Sequence, residues 1–174
     1  AEIDDTPMIV FAQEIARRIG AVVEAGLRNG EITLDEIFVQ NYRERPDSNP
    51  EQYDTDFHDF ADRNIRPILD EVKVGKGAII SNTIADMNGY LPTHISAPCN
   101  PQGPDPMWND ANCRNRRILM DEVTRKALDS DQPATLSTYR MELGEEAFAV
   151  KNVLVPLRFG GRPWGNYELG YRNE

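Results

Sequence analysis

Arg114, Arg116 and Arg117 stand almost side by side in a chain that is otherwise acidic. A guanidinium grips a carboxylate through two parallel hydrogen bonds, so such a cluster suits recognition of an organic acid. Tyr139, next to Arg140, and Trp164 add rings that can wall a pocket and donate single hydrogen bonds. The plainer alternative is that the arginines balance an acidic surface and the aromatics fill a core. That alternative serves any one residue better, whereas the set favours a pocket. His94 also has two readings, a half-buried structural imidazole or a ligand contact. His58 sits among Asp54, Asp56 and Asp59. These acids lack the glycine and distal glutamate of a calcium loop and read as a solvated helix face.

Little else suggests catalysis. There is no GxSxG nucleophile elbow and no GxGxxG or GxxxxGK[ST] phosphate loop. No Ser/His/Asp or Cys/His set is apparent, so a non-enzymatic role is expected. No metal site is expected, because Cys99, Cys113, His58 and His94 do not have ligand spacing. CxxCH is absent, so covalent haem is excluded and no cofactor is expected. Cys99 and Cys113 are either two free buried thiols or a disulfide. The unpatterned, proline-rich stretch between them favours the disulfide, which would close the loop.

The 174 residues suit one domain, with a helical part over 1–74 and a sheet part over 75–174. Formal net charge is -10, from 19 basic and 29 acidic residues, which disfavours nucleic acid and anionic lipid as partners. No apolar run is long enough to span a membrane. The first helix begins within a few residues of the start, as expected of a segment of a longer chain.

Asp4-Asp5-Thr6-Pro7 starts that helix and Asn29-Gly30 ends it. Met8, Ala12, Ile15, Ile19, Val22 and Gly26 form its apolar stripe, with Ile9, Ala16 and Val23 beside them. This face is wide enough for both a core and a partner helix. Thr33 and Glu36 form a capping box before a short second helix. A third helix is expected over 52–72, kinked or divided by Pro67. Residues 78–85 read as a strand, Asp86-Met87-Asn88-Gly89 as a hairpin turn and 90–94 as a short second strand. Residues 95–112 show no period, and 114–128 read as a helix. Strands follow over 135–143, 147–159 and 164–171. This order predicts an α+β fold with an antiparallel sheet.

Several segments carry a family likeness. Asp86-x-Asn88-Gly89-Tyr90-Leu91-Pro92-Thr93-His94 resembles the D-x-N-G-Y-x-P-T-H segment of a group of sensor domains from methyl-accepting chemotaxis receptors. The run from Asn112 to Ile118 resembles the arginine-rich stretch that follows in that group. Thr138-Tyr139-Arg140 resembles its Q-T-Y-R-R strand, with Ser137 in place of glutamine. Val155-Pro156 and Gly161-Arg162-Pro163-Trp164-Gly165 resemble its last hairpin, with Pro163 in place of histidine. Residues 30–34 and 57–62 are similar to its helical half.

The resemblance implies a PAS-like, Cache-type antiparallel sheet, with a long N-terminal helix and covering helices. It implies a periplasmic sensor domain of a receptor anchored in the inner membrane, signalling through that helix and dimerising along it. A haem- or redox-linked sensor of a receptor or histidine kinase is the alternative on the same scaffold. Taken with the polar-aromatic cluster, it places a pocket between His94, the Arg114–Arg117 stretch and the Tyr139–Trp164 strands. Tyr90, His94, Trp108, Arg116, Arg117, Tyr139 and Trp164 are the expected contacts. The arginines suggest a small carboxylate such as acetate as ligand.

Overall fold

The computed structural model describes residues 4–143 and 145–172. Helix α1 (Thr6–Asn29) starts at the Pro7 signal, and Gly30 closes it in the left-handed conformation at φ 78°. Its buried stripe is Ala12, Ile15, Ala16, Ile19, Val23 and Gly26. Met8, Ile9, Phe11, Val22 and Leu27 are partly buried beside it. Helix α2 (Leu34–Phe38) begins with the expected capping box, in which the Glu36 amide donates to Thr33 Oγ1.

A four-stranded antiparallel sheet follows, in the order β3-β6-β5-β4. Its strands are β3 (Ile79–Asp86), β4 (Thr135–Leu143), β5 (Glu146–Phe159) and β6 (Arg162–Arg172). One face carries Ile84, Val153, Val155, Tyr167 and Leu169 into a core shared with α1, α3 (His58–Asn64) and α4 (Arg66–Gly75). The α+β antiparallel class predicted from the element order is therefore observed. Asp5 joins the start of α1 to the end of the sheet, accepting from Lys151 Nζ at 2.6 Å and Tyr171 Oη at 2.8 Å.

Three expected elements differ, each because tertiary partners claim the backbone. The helix over 52–72 is shortened and split. Tyr53–Asp54 forms β2 and pairs with β1 (Arg43–Glu44), while the Tyr53 amide donates to Arg116 O. The split falls at Ile65, so Pro67 lies in the first turn of α4, where a missing N–H costs nothing. The helix over 114–128 is reduced to α6 (Glu122–Asp129), capped by Asp121. The residues before it run extended against 89–91, through Arg116 N to Leu91 O, Leu91 N to Arg117 O and Leu119 N to Gly89 O. Residues 90–94 therefore form no hairpin with β3, and only Tyr90 bridges to Ile118. Within 95–112, α5 (Pro106–Asn112) appears, capped by Asp105.

The Asp86–Gly89 turn does form, and its carboxylate explains the motif. Asp86 Oδ1 accepts from the Asn88 and Tyr90 amides, and Oδ2 from Tyr42 Oη and Gln40 Nε2. Gly89 takes φ 83°, and a Cβ there would lie 2.5 Å from Leu119 O.

Gly165 of β6 lies opposite Asp86 of β3. A Cβ there would lie 1.9 Å from the Ala85 carbonyl oxygen. Gly165→Ala is expected to destabilise the protein by about 3 kcal/mol, measured by urea unfolding.

Candidate functional site

The second face of the sheet is turned away from α1 and α4. It floors a half-open cavity of about 540 Å³, roofed by the 91–121 segment and the start of α6. Register brings the floor residues into rows. Ser81 lies opposite Gly170, Gly170 opposite Asn152, and Asn152 opposite Ser137. Thr83 lies opposite Glu168, and Glu168 opposite Leu154. Tyr139 and Met141 of β4 extend the floor, while Leu91, His94, Ile95, Pro98, Arg114 and Leu119 form the roof and wall. A recess of about 370 Å³ adjoins it and shares Asp121, Thr124, Tyr139, Asn152 and Glu168.

Two of the expected contacts, His94 and Tyr139, line this cavity. His94 is buried, and its Nδ1 accepts from the Ile95 amide at 2.9 Å. The ring's proton therefore belongs on Nε2. Burial, with Arg114 and Arg66 nearby, lowers the His94 pKa to about 4. The imidazole is neutral at pH 7. Tyr139 is partly exposed, and its phenol is raised by burial and by the charge of Glu168.

The other five lie elsewhere. Arg116 is 4% exposed and points away from the cavity, holding Asp62 in a two-pronged ion pair and donating to Pro92 O. Arg117 pairs with Asp110 at 3.0 Å and borders a separate hollow with Tyr53 and Pro50. The expected two-arginine grip on a carboxylate is therefore not assembled, because each guanidinium already has an internal carboxylate. Trp164 is 2% exposed in the opposite core, packed on Phe57 and Phe159. Tyr90 is buried and donates to Tyr53 O at 2.7 Å. Trp108 is 45% exposed on α5 and lines neither this cavity nor the adjoining recess.

Glu168, Thr83, Ser81, Asn152, Asp121 and Asp110 are cavity residues beyond those expected from the motifs. One signal for Glu168 was available. It falls on the polar side of an alternating strand, with Tyr167 and Leu169 on the core face and Asn166, Glu168 and Gly170 on the other. Burial first, then the charge of Asp121, raises the Glu168 pKa.

Cys99 and Cys113 are free thiols, so the expected disulfide is not formed in this structure. The loop between them is ordered by amides instead. Buried Asn109 donates to Asn49 O and Gly103 O and accepts from the Gly103 amide. Gln102 donates to Pro50 O and accepts from the Asn49 amide. The thiols are nevertheless cross-strand neighbours. Bonds from Asn100 N to Asn112 O and from Arg114 N to Pro98 O flank them, making a non-hydrogen-bonded pair. Burial raises the Cys99 thiol to about 11, which slows its oxidation.

His58, Asp59 and Asp62 offer ligand atoms within 4.8 Å of one another. Asp62 is already committed to Arg116 and Arg66, so this group is read as an ion-pair network.

The chain matches no family model and no curated protein.

Two outcomes follow from this geometry. The folded pKa of His94 lies below that of the unfolded chain, so its neutral form stabilises the fold above about pH 6.5. That contribution fades as pH falls towards 4, and about 2 kcal/mol should be gone at pH 5. His94→Asn should remove that part of the pH dependence, seen by comparing urea unfolding of both proteins at pH 7 and pH 5. Separately, a non-hydrogen-bonded pair sets the Cα atoms of Cys99 and Cys113 about 4.5 Å apart, within bridging range. Oxidation at alkaline pH should join them and add about 3 kcal/mol of stability, read by loss of maleimide labelling and by urea unfolding.

Proposed function

We propose that this chain is the ligand-sensing domain, outside the cytoplasmic membrane, of a methyl-accepting chemotaxis receptor, built on a PAS-like, Cache-type sheet. The supporting observation is the two-sided use of that sheet. One face floors a cavity of about 540 Å³, within the range of small-molecule sites. The other packs against the longest helix, α1.

A ligand in the cavity touches strands whose alternate residues touch α1. Glu168 and Gly170 face the cavity, while Tyr167 and Leu169 of the same strand enter the α1 core. Asp5 fixes the start of α1 to Tyr171 at the end of that strand. A small shift of β6 is thereby passed to the helix, and ligand binding biases the sheet–helix packing between two states. The partly buried stripe of Met8, Ile9 and Phe11 suits α1 for pairing with a second copy. Among the described residues no helix is long and apolar enough to cross a membrane, so this reading places the membrane spans in other parts of the receptor.

Any parent receptor would use this cavity as a binding site, which makes occupancy the test. A thermal-shift screen over organic acids, amino acids, amines and sugars is expected to give at least one class that raises Tm by about 5–10 °C at saturation. Ser81→Phe, which projects a ring into the cavity from its floor, should abolish the shift. The reading fails if no class shifts the wild type, or if the shift persists in Ser81→Phe.

A further inference from the structure

The charges lining the cavity do not balance. Arg114 is the cation in the lining, and it shares Asp110 with Arg117: it donates to the Asp110 carbonyl at 3.0 Å and lies 3.4 Å from the carboxylate. Asp121 and Glu168 remain. Asp121 is partly compensated as the cap of α6, accepting from the Thr124 amide at 2.7 Å.

Glu168 has no such compensation. It stands in the second strand of the sheet, with Thr83 on one side and Leu154 on the other. The Thr83 hydroxyl donates to Thr93 O, and Leu154 has nothing to donate. Among the described residues no hydrogen bond or ion pair engages the Glu168 carboxylate. Its residual exposure is into the cavity and the adjoining recess. Burial and the neighbouring Asp121 both act against its ionised form. A deep carboxylate beside a second carboxylate, with no cation for either, is complementary to a positive ligand.

The rest of the lining suits the same ligand. Tyr139 presents a ring beside Glu168, which attracts a cation. Asn152 and Thr83 offer oxygen acceptors on the floor. Leu91, Ile95 and Leu119 supply an apolar wall for a hydrocarbon stem. Arg116 and Arg117, which alone suggested an acidic ligand, lie outside the cavity.

We propose that the cavity binds a small protonated amine, its ammonium group held by Glu168 with Asp121 and its hydrocarbon part against Leu91, Ile95 and Leu119. This deepens the sensory reading and rests on it. The ammonium gives the Glu168 carboxylate the donors that its strand neighbours do not, and its charge removes the repulsion between the two acids.

Calorimetric titration of the 174-residue chain at pH 7.5 tests the assignment, with 1,4-diaminobutane as probe and sodium acetate and glycine in parallel. The diamine is expected to bind and acetate is not. Glu168→Gln keeps the shape and removes the charge, and should weaken the diamine at least about 10-fold. The same variant without ligand should be as stable as the wild type or more so, because it no longer buries an unpaired carboxylate. If Glu168 were merely a protonated structural group, the glutamine would leave diamine binding unchanged. That result overturns the proposal, as does binding of acetate or glycine without binding of the diamine. A different class that stabilises the wild type but not Ser81→Phe overturns the amine and leaves the sensory site standing. Failure of every class overturns both.

Discussion

The buried ion pair between Arg116 and Asp62 ties the two halves of the molecule together. Arg116 adopts a left-handed conformation at φ 67°, unusual for a side chain of its size. Its backbone is bonded on both sides, the amide to Leu91 O and the carbonyl to Tyr53 N. Its guanidinium reaches across to α3 and also holds Pro92 O. Burial opposes the charged form of Asp62, yet the hydrogen bonds and charge of Arg116, with Arg66, keep its carboxyl below the ordinary value. Removing Asp62 would leave the buried Arg116 guanidinium without a carboxylate, typically about 3–5 kcal/mol of destabilisation. Helix, β2 and cavity wall thus meet at a single residue. The wall can lie over the sheet, and leave a cavity beneath it, because this residue anchors it.

The sheet beneath that wall serves two environments by strict alternation. In β6, Tyr167, Leu169 and Tyr171 are buried in the core, while Glu168 and Gly170 face the cavity. Gly170 leaves space rather than filling it, since a Cβ there would press on Asn152 Oδ1 at 3.0 Å. Tyr167 Oη donates to Asn82 Oδ1 at 2.9 Å, and Asn82 Nδ2 donates to Leu69 O on α4. That bridge satisfies polar atoms in a core that excludes water. It also ties β3 and β6 to the helical layer.

Much of the scaffold was legible because its signals are local. The Pro7 start and Gly30 stop of α1, the Thr33–Glu36 capping box and the strands around Gly160-Gly161 all depend on near neighbours in sequence. What could not be read was set by distant partners. Residues 114–119 have helical composition, but Leu91, Gly89 and Pro98 claim their backbone. Tyr53 has helical periodicity around it, but Arg116 O claims its amide. The arginine cluster misled for the same reason. Type and spacing mark guanidinium groups as available, and only the fold shows Asp62 and Asp110 already in their grasp. The loop that seemed to need a disulfide is held by Asn109, a residue no spacing rule would single out. Glu168 was within reach only as a polar position of the alternating strand β6, where Asn166 shares its face.

Glu168 also suggests how occupancy could be felt at a distance. An ionised carboxylate in a half-open cavity favours any arrangement that lets water or a counter-charge approach it. In the proposed sensor, an unliganded cavity would bias the 91–121 wall and β6 apart. The proposed ammonium would reverse that bias, since the same carboxylate would then gain from closure. The differential binding free energy between the open and closed arrangements is the whole of the signal available. Its path to α1 is short. Tyr167 and Leu169 flank Glu168 on β6, and Tyr171 in the same strand is bonded to Asp5 at the helix start. The strand that carries the charge is the one tied to α1 at its end, so a change in floor electrostatics need cross only one layer of backbone to reach the helix.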